Sequence, residues 1–314
     1  MHSLSSDSAR PPVTVVVPTR DRPQQLATCL RSLREALRES DELIVVDSAS
    51  REPGRVAVAV VAAGGRLVRC ELPGVNRARN AGWRAGQHDV VLFTDDDVEV
   101  EPGWADALAA AVQAHPQAGF VTGRILPPPG STPSRDVAIK REEGPELYDA
   151  WSVGNLGHSA SLGIRREVLE QLGGWDEALG VGGWFRSAPE ADLFDRAFAL
   201  DLSGCYEPAA LAWHDQWRGP RQLVLLEARY GFGNGARLAK LARTDRRRLA
   251  RAGFDALGSW GLAAVAGELR RRHFYPALGA VVRLLATVAG FARAIVVPVV
   301  DGHFVATGSR EARE

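Results

Sequence analysis

Apolar and polar positions alternate in blocks along the first two-thirds of the chain. Short strand-like runs at 13–17, 43–46, 67–70 and 90–93, among them the continuously apolar 90–93, are each followed by a longer polar–apolar stretch. Runs without alternation predict strands buried on both faces, as in a parallel sheet. After the first run, Asp21 and Pro23 precede Leu26, Leu30, Leu33 and Leu37, whose spacing predicts a capped helix with one apolar face. A second helix opens at Pro53 and is stopped by Gly64 and Gly65; further helices are predicted at 76–86 and 102–115, and a strand at 119–126. The pattern resumes with a strand at 159–164, a helix at 165–172 ended by Gly173 and Gly174, a helix at 190–200, and a strand at 209–213 that ends at His214. This alternation predicts an α/β fold with a doubly wound, mostly parallel sheet. No G-x-G-x-x-G follows the first strand, which disfavours a dinucleotide site.

Two segments break the rhythm. Residues 127–146 begin Pro127-Pro128-Pro129-Gly130 and carry little apolar periodicity, so they read as a mobile loop over a cleft. Residues 180–187 form a glycine- and aromatic-bearing loop. Beyond 216 the chain turns helical and Arg-rich and closes with an apolar stretch at 277–300. The expected organisation is a polar tail at 1–12, a catalytic domain at 13–218 and a helical C-terminal region at 219–314.

Composition changes this picture little. Hydrophobic content of 46% and charged content of 24% over 314 residues are ordinary for a globular protein. The formal net charge is zero, so no global field favours nucleic acid. Charge is uneven, however: between Arg218 and Arg283, thirteen arginines and Lys240 face only Glu227, Asp245, Asp255 and Glu268. Cys29, Cys70 and Cys205 are widely spaced and odd in number, which argues against a disulfide framework and sets a reducing, cytoplasmic compartment as the expectation. Residues 1–12 show no apolar signal core.

The candidate chemistry starts at Asp95-Asp96-Asp97, directly after the strand at 90–93. Ligands of open α/β sheets bind at the carboxyl ends of strands. In extended chain, residues two apart point the same way, so Asp95 and Asp97 are placed to share a divalent cation, with Mg²⁺ or Mn²⁺ suited to such hard donors. The alternative is an acidic cap on the helix that follows.

The order of motifs resembles family 2 glycosyltransferases of the GT-A fold. The matching pieces are Val15-Val16-Val17-Pro18-Thr19-Arg20-Asp21-Arg22, Val45-Val46-Asp47-Ser48, Ala78-Arg79-Asn80-Ala81-Gly82 and Phe93-Thr94-Asp95-Asp96-Asp97. Further on come Leu172-Gly173-Gly174-Trp175-Asp176-Glu177, Glu190-Ala191-Asp192-Leu193-Phe194 and Pro208-Ala209-Ala210-Leu211-Ala212-Trp213-His214. The resemblance implies an inverting, metal-dependent transfer from a nucleotide-sugar donor to a saccharide, lipid-linked or small-molecule acceptor. It makes Asp97 a direct ligand of Mn²⁺ or Mg²⁺ beside Asp95, turns Asp96 toward a ribose, and makes His214 a late metal ligand. The alternative for His214 is a strand-end histidine that packs between Trp213 and Trp217. Pro18, Thr19, Arg20, Asp47 and Arg79 resemble nucleotide-side contacts. Asp47 read by itself is also a turn-forming residue, and Arg79, near Arg77 and Arg84, a solvated helix face.

One motif departs from the family. Where members commonly read Glu-Asp-x-Asp, this chain reads Pro189-Glu190-Ala191-Asp192. Glu190 then falls on the position of the catalytic base, with one methylene more reach, and Asp192 is the runner-up. Trp151, Asn155, Trp175 and Trp184 are acceptor-side candidates, because aromatic faces suit sugar rings, or else core. A sugar-nucleotide nucleotidyltransferase is a rival, but it wants a glycine-rich phosphate loop where Pro18-Thr19-Arg20 stands. A binding protein that has lost its base is another.

The stretch at 277–300 is long enough to span a bilayer, yet Arg283, Arg293 and Pro298 oppose a simple span. Val281, Val282, Leu284, Leu285, Val288 and Phe291 share a helical face that packs on the catalytic domain or on a second subunit. The other reading is a peripheral helix on the inner face of the membrane, assisted by Arg246-Arg247-Arg248 and Arg270-Arg271-Arg272.

Overall fold

The computed structural model describes residues 10–131, 137–215 and 218–305. Most of the expected polar tail (1–9), five residues of the proline-rich loop (132–136) and Trp217 lie outside the described residues.

The chain runs β1 (Val13–Thr19), α1 (Pro23–Ala36), β2 (Glu42–Ser48), α2 (Pro53–Ala62), β3 (Arg66–Cys70), α3 (Val75–Ala85), β4 (Val90–Phe93), β5 (Val98–Val100), α4 (Trp104–Ala114) and β6 (Ala118–Leu126). It continues through β7 (Glu146–Tyr148), β8 (Leu162–Arg165), α5 (Arg166–Gln171), α6 (Pro189–Ala199) and β9 (Ser203–His214). The sheet order is β3-β2-β1-β4-β8-β6-β9-β5, with β7 joined to β9. Strands β1 to β4 are parallel, as is the β6–β9 pair, while β8 runs antiparallel between β4 and β6. Alternate residues of β1 feed two cores. Val13, Val15 and Val17 pack with α1, α2 and α4, and Val16 packs with α3, α5 and α6. Helices therefore cover both faces, as the unalternating strands predict.

Two short strands, β5 and β7, carry too few residues to show a pattern, and β9 starts six residues before its predicted beginning. Gly204 and Pro208 interrupt its apolar run. The structure absorbs Pro208 in a bulge: the register against β6 jumps from Gly123↔Glu207 to Arg124↔Leu211. Proline has no N–H to give a ladder, so it sits where the ladder is broken.

The described part of the 127–146 loop is not a free flap. Val137, Ile139 and Lys140 are buried, Lys140 bridges to Ile125, and the Lys140 ammonium meets Glu146 at 2.7 Å. These residues follow the bulged edge of β6 and β9, while 141–145 are exposed.

The C-terminal helices are α7 (Pro220–Thr244), α8 (Arg246–Leu257), a π-helical turn (Gly258–Leu262), α9 (Ala263–Arg270) and α10 (Phe274–Ala294). α7 and α10 meet backbone to backbone. A Cβ on Gly231, Gly235 or Gly290 would collide with the carbonyl oxygens of Arg283, Thr287 and Phe232 respectively. The predicted packing face of α10 is thereby corrected. Ala277, Gly279, Ala280, Thr287, Gly290 and Ala294 are buried, whereas Val281, Leu285 and Val288 are exposed. Close helix contact selects small residues; of the rest of the predicted face, Val282 and Leu284 are half-buried and Phe291 packs against the cluster that includes Ala236 and Ala239 of α7. α7 is tied to the sheet domain by ion pairs: Lys240 with Asp176 and Asp192, both at 2.5 Å, and Arg237 with Asp195.

Candidate active site

The acidic triplet emerges where β1 and β4 end together, since Val16 pairs with Phe93 and the Thr94 N–H bonds to the Val16 carbonyl. Three residues on, β5 pairs antiparallel with β9 so that Val98 faces His214. That register puts Asp97 beside the histidine: Asp97 Oδ1 lies 3.7 Å from His214 Nε2. His214 Nδ1 is 3.0 Å from the Val137 carbonyl, to which it can only donate, and this anchor leaves Nε2 as the nitrogen that faces Asp97. The other Asp97 oxygen accepts from Arg22 at 2.8 Å. An oriented carboxylate and an imidazole with its second nitrogen anchored form a donor pair that fits a divalent cation.

The expected grouping of Asp95, Asp97 and His214 is not present as a three-residue cluster. Among the described residues, no cluster of three His, Cys, Asp or Glu side chains is placed to hold a metal. Asp95 turns instead to Arg79, at 2.8 Å. Arg79 is likewise neither a solvated face nor an open nucleotide contact. It is buried, donates to Asp95 and to Ser159 Oγ (both 2.8 Å), and lies over the Trp175 ring. The chain leaves regular strand geometry after Phe93, so the two-residue alternation behind the expectation does not reach Asp97.

Asp96 also departs from its expected turn toward ribose. It is buried, accepts from Thr19 Oγ1 at 2.7 Å and from Arg22 at 3.1 Å, and burial pushes its carboxyl up to about 7 against the opposing charge of Arg22. Of the other nucleotide-side residues, Pro18 is buried in β1 opposite Val46, and Thr19 is spent on Asp96. Asp47 is fully buried as a turn residue, accepting from the Ser50 N–H at 2.9 Å and from Arg69 at 2.5 Å. Arg20 is exposed. Around Asp21 and Ser50 it is joined by Arg51 and Arg69, so the ends of β1 to β3 present a basic rim. Arg22, Arg51 and Arg69 were not singled out from sequence. Their only local signal is a basic residue within a few positions of a strand end.

Glu190 stands in the first turn of α6, after Ala188 at φ +61°. Such a conformation costs an alanine about 1 kcal/mol, and Gly233 of α7 packs directly on Ser187 and holds the turn. The Glu190 side chain keeps 22% of its surface accessible and lies 3.5 Å from His158 Nδ1. Burial raises its carboxyl. The hydrogen bond and charge of His158, with Arg79 beyond, outweigh burial and leave it below the ordinary glutamate value. His158 escaped the sequence reading because it lies in an irregular stretch with no motif around it.

Asp192, the runner-up base, is corrected to a structural residue. Its side chain is 1% accessible, and its oxygens meet Lys240 at 2.5 Å and Arg196 at 3.0 Å. Two acceptor-side candidates are corrected too. Trp175 is fully buried against Phe93. Asn155 spends its amide on loop backbone, donating to Ile139 O and accepting from the Gly157 N–H. Trp151 and Trp184 remain as exposed aromatic rings, with Arg251 stacked over Trp151.

The motif glycines and asparagine have a mechanical reading. Asn80 holds the Trp175 backbone at both N–H and C=O, each at 2.9 Å, and Asn76 donates to Asp176 O. Gly174, at φ +79°, makes the turn, and a Cβ there would strike Asn80.

The sequence model of "Glycosyl transferase family 2" matches residues 14–173, half of the chain, and takes in β1 through α5 with the whole acidic triplet. The chain belongs to this family. The pre-mycofactocin glycosyltransferase of Mycobacterium tuberculosis is 29% identical over 250 residues, which cover 72% of this chain and 47% of that protein. The O-antigen biosynthesis protein RfbC of Myxococcus xanthus is 31% identical over 199 residues, 55% of this chain and 15% of that protein. The chain thus spans under half the length of either relative. Its fold is that of the mannosyltransferase PcManGT from Pyrobaculum calidifontis, solved with GDP-Man and Mn²⁺, at a TM-score of 0.62 and 21% identity over 91% of this chain and 88% of that one. S. aureus TarS, solved with UDP, follows at a TM-score of 0.51 and 13% identity over 94% of this chain.

Proposed function

We propose that this family 2 enzyme transfers a sugar from a nucleoside-diphosphate donor to an acceptor hydroxyl with inversion, and that Asp97 and His214 hold a divalent cation while it does so. The observation that carries the reading is the pairing of an anchored His214 Nε2 with Asp97 Oδ1 at 3.7 Å. Bound there, the cation would offset the charge that grows on the departing diphosphate. A mixed nitrogen and oxygen pair favours Mn²⁺ over Mg²⁺, which prefers oxygen donors.

The protein's own groups do the rest. The basic rim of Arg20, Arg51 and Arg69 attracts the anionic donor, and Arg22 orients Asp97. Glu190, held ionised by His158, accepts the acceptor's hydroxyl proton. The acceptor oxygen then bonds to the anomeric carbon as the bond from that carbon to the diphosphate breaks, its electron pair leaving with phosphate. Asp192, the other carboxylate of the motif, is locked in ion pairs and is not free to form a covalent sugar intermediate, which supports a single displacement with inversion.

Release of nucleoside diphosphate from a panel of GDP-, UDP- and dTDP-sugars, with and without EDTA, tests this. Mn²⁺-dependent release from one donor is expected. Turnover undiminished by chelator would remove the metal from the mechanism, and donor binding with no turnover on any acceptor would favour the binding-protein reading.

A further inference from the structure

The C-terminal layer carries an apolar surface that the fold leaves uncovered. Along α10, Leu278, Val281, Leu285 and Val288 recur every three or four residues and are 38% to 65% exposed. Phe274 and Tyr275 extend this stripe at the start of the helix, and Phe254, Leu257, Leu262 and Leu269 are exposed on α8, the π turn and α9. The π turn supplies the extra residue between Leu257 and Leu262. In the turn joining α9 to α10, Arg270, Arg271 and Arg272 are all exposed beside Phe274.

We propose that this layer docks the enzyme on an anionic membrane, with the α10 stripe lying in the plane of the interface and Arg270–Arg272 among the headgroups. Phe274–Ala294 is long and apolar enough to cross a bilayer. It is not free to do so, because its opposite face is fused to α7 through Gly231, Gly235 and Gly290, and Arg283 is bound to buried Glu227 inside that contact. A span would carry this ion pair and the polar residues of α7 into hydrocarbon. Lying flat costs nothing of the kind and buries the outward stripe.

The charge pattern selects lipid over a second copy of the chain. α10 contains no acidic residue, and its accessible charges are Arg293 near one end and Arg270–Arg272 before the other. Two copies joined through the stripe would set Arg293 against Arg293 or against Arg270–Arg272, and the acidic group beside them, Glu268, is already engaged by Arg271 and His273. An anionic surface complements them at both ends. The same layer reaches the acceptor side of the enzyme: Arg248 of α8 donates to the carbonyls of Ala150 (2.9 Å) and Ser152 (2.5 Å), and Arg251 covers Trp151. What rests on the membrane also holds the loop that leads to His158.

Flotation of the full chain with vesicles tests this without any need for activity. Binding is expected to phosphatidylcholine–phosphatidylglycerol vesicles at low salt, to weaken at high salt, and to be lost with phosphatidylcholine alone. The double variant L285E/V288E should keep its circular dichroism, melting temperature and transfer to a water-soluble acceptor, and should no longer float. Replacing Arg270, Arg271 and Arg272 with serine should weaken partitioning about 100-fold. Absence of flotation on anionic vesicles at low salt overturns the proposal. If L285E/V288E then also abolishes a dimer seen by analytical ultracentrifugation, the stripe belongs to a contact between copies. Equal binding to neutral and anionic vesicles overturns the role of the arginines.

Discussion

Glu190 and Asp192 lie two residues apart in the first turn of α6 and face different worlds. One is partly open beside His158, and the other is sealed between Lys240 and Arg196. Their neutral variants should therefore fail differently. Glu190→Gln should lower transfer by at least ~10²-fold, the usual scale for a lost general base, with its melting temperature unchanged. Asp192→Asn removes one partner of a buried lysine and should cost about 3–5 kcal/mol of stability. Denaturant titration alongside diphosphate release separates the two, and a stable but inactive Asp192→Asn beside a near-normal Glu190→Gln would reverse the assignment.

The His158 contact sets the pH range of the base. With the Glu190 carboxyl held below its ordinary value, the acid limb of kcat/KM should lie below that value too. His158→Ala removes the largest lowering influence and leaves burial, which raises the carboxyl. The acid limb should then move to higher pH, with the loss of rate concentrated at mildly acidic pH and partly hidden at neutral pH. A pH profile that shifts down, or not at all, contradicts the pairing.

Metal affinity should depend on Asp97 and His214 and little on Asp95. His214→Ala and Asp97→Asn should each weaken Mn²⁺ binding in the presence of nucleoside diphosphate by at least ~10-fold, the scale on which ligand-sphere changes act. Asp95→Asn should leave Mn²⁺ affinity near normal and loosen Arg79 instead. Titration calorimetry or Mn²⁺ paramagnetic resonance reads this directly.

Gly82 offers a packing test. Its Cα sits against Val16 and Val46, so an added Cβ in Gly82→Ala would overlap the Val16 side chain. Overpacking of this kind costs about 1–3 kcal/mol, and a urea midpoint lowered accordingly is expected.

The sheet was legible because buried parallel strands have an unmistakable signature: β1, β2 and β4 appear in the sequence as short runs dominated by apolar residues. The Glu190 position and the Asp97–His214 pairing followed from motif order. What the sequence hid was contact between distant segments. Arg79 and Asn80 read locally as polar residues on a helix surface, and only the approach of Trp175 and Ser159, far along the chain, makes them buried. The same holds for Asp192, whose partner Lys240 comes from α7, far along the chain. β5 is too short to show any period, yet its register alone brings Asp97 to His214.

At Gly231, Gly235 and Gly290, where α7 crosses α10, backbone touches backbone with no side chain between, so there is little soft in the contact to compress. Gly233 of the same helix also bears on Ser187, just ahead of the strained Ala188 and the carboxylate beyond it. A helix seated this rigidly behaves as a strut, not as a spring. One methyl added at Gly235 cannot be absorbed where it is placed; α7 must shift as a unit, and the shift is delivered through Gly233 to the reach of Glu190. The reach of the proposed base is thus gauged, in part, by glycines on a helix well outside the acidic triplet.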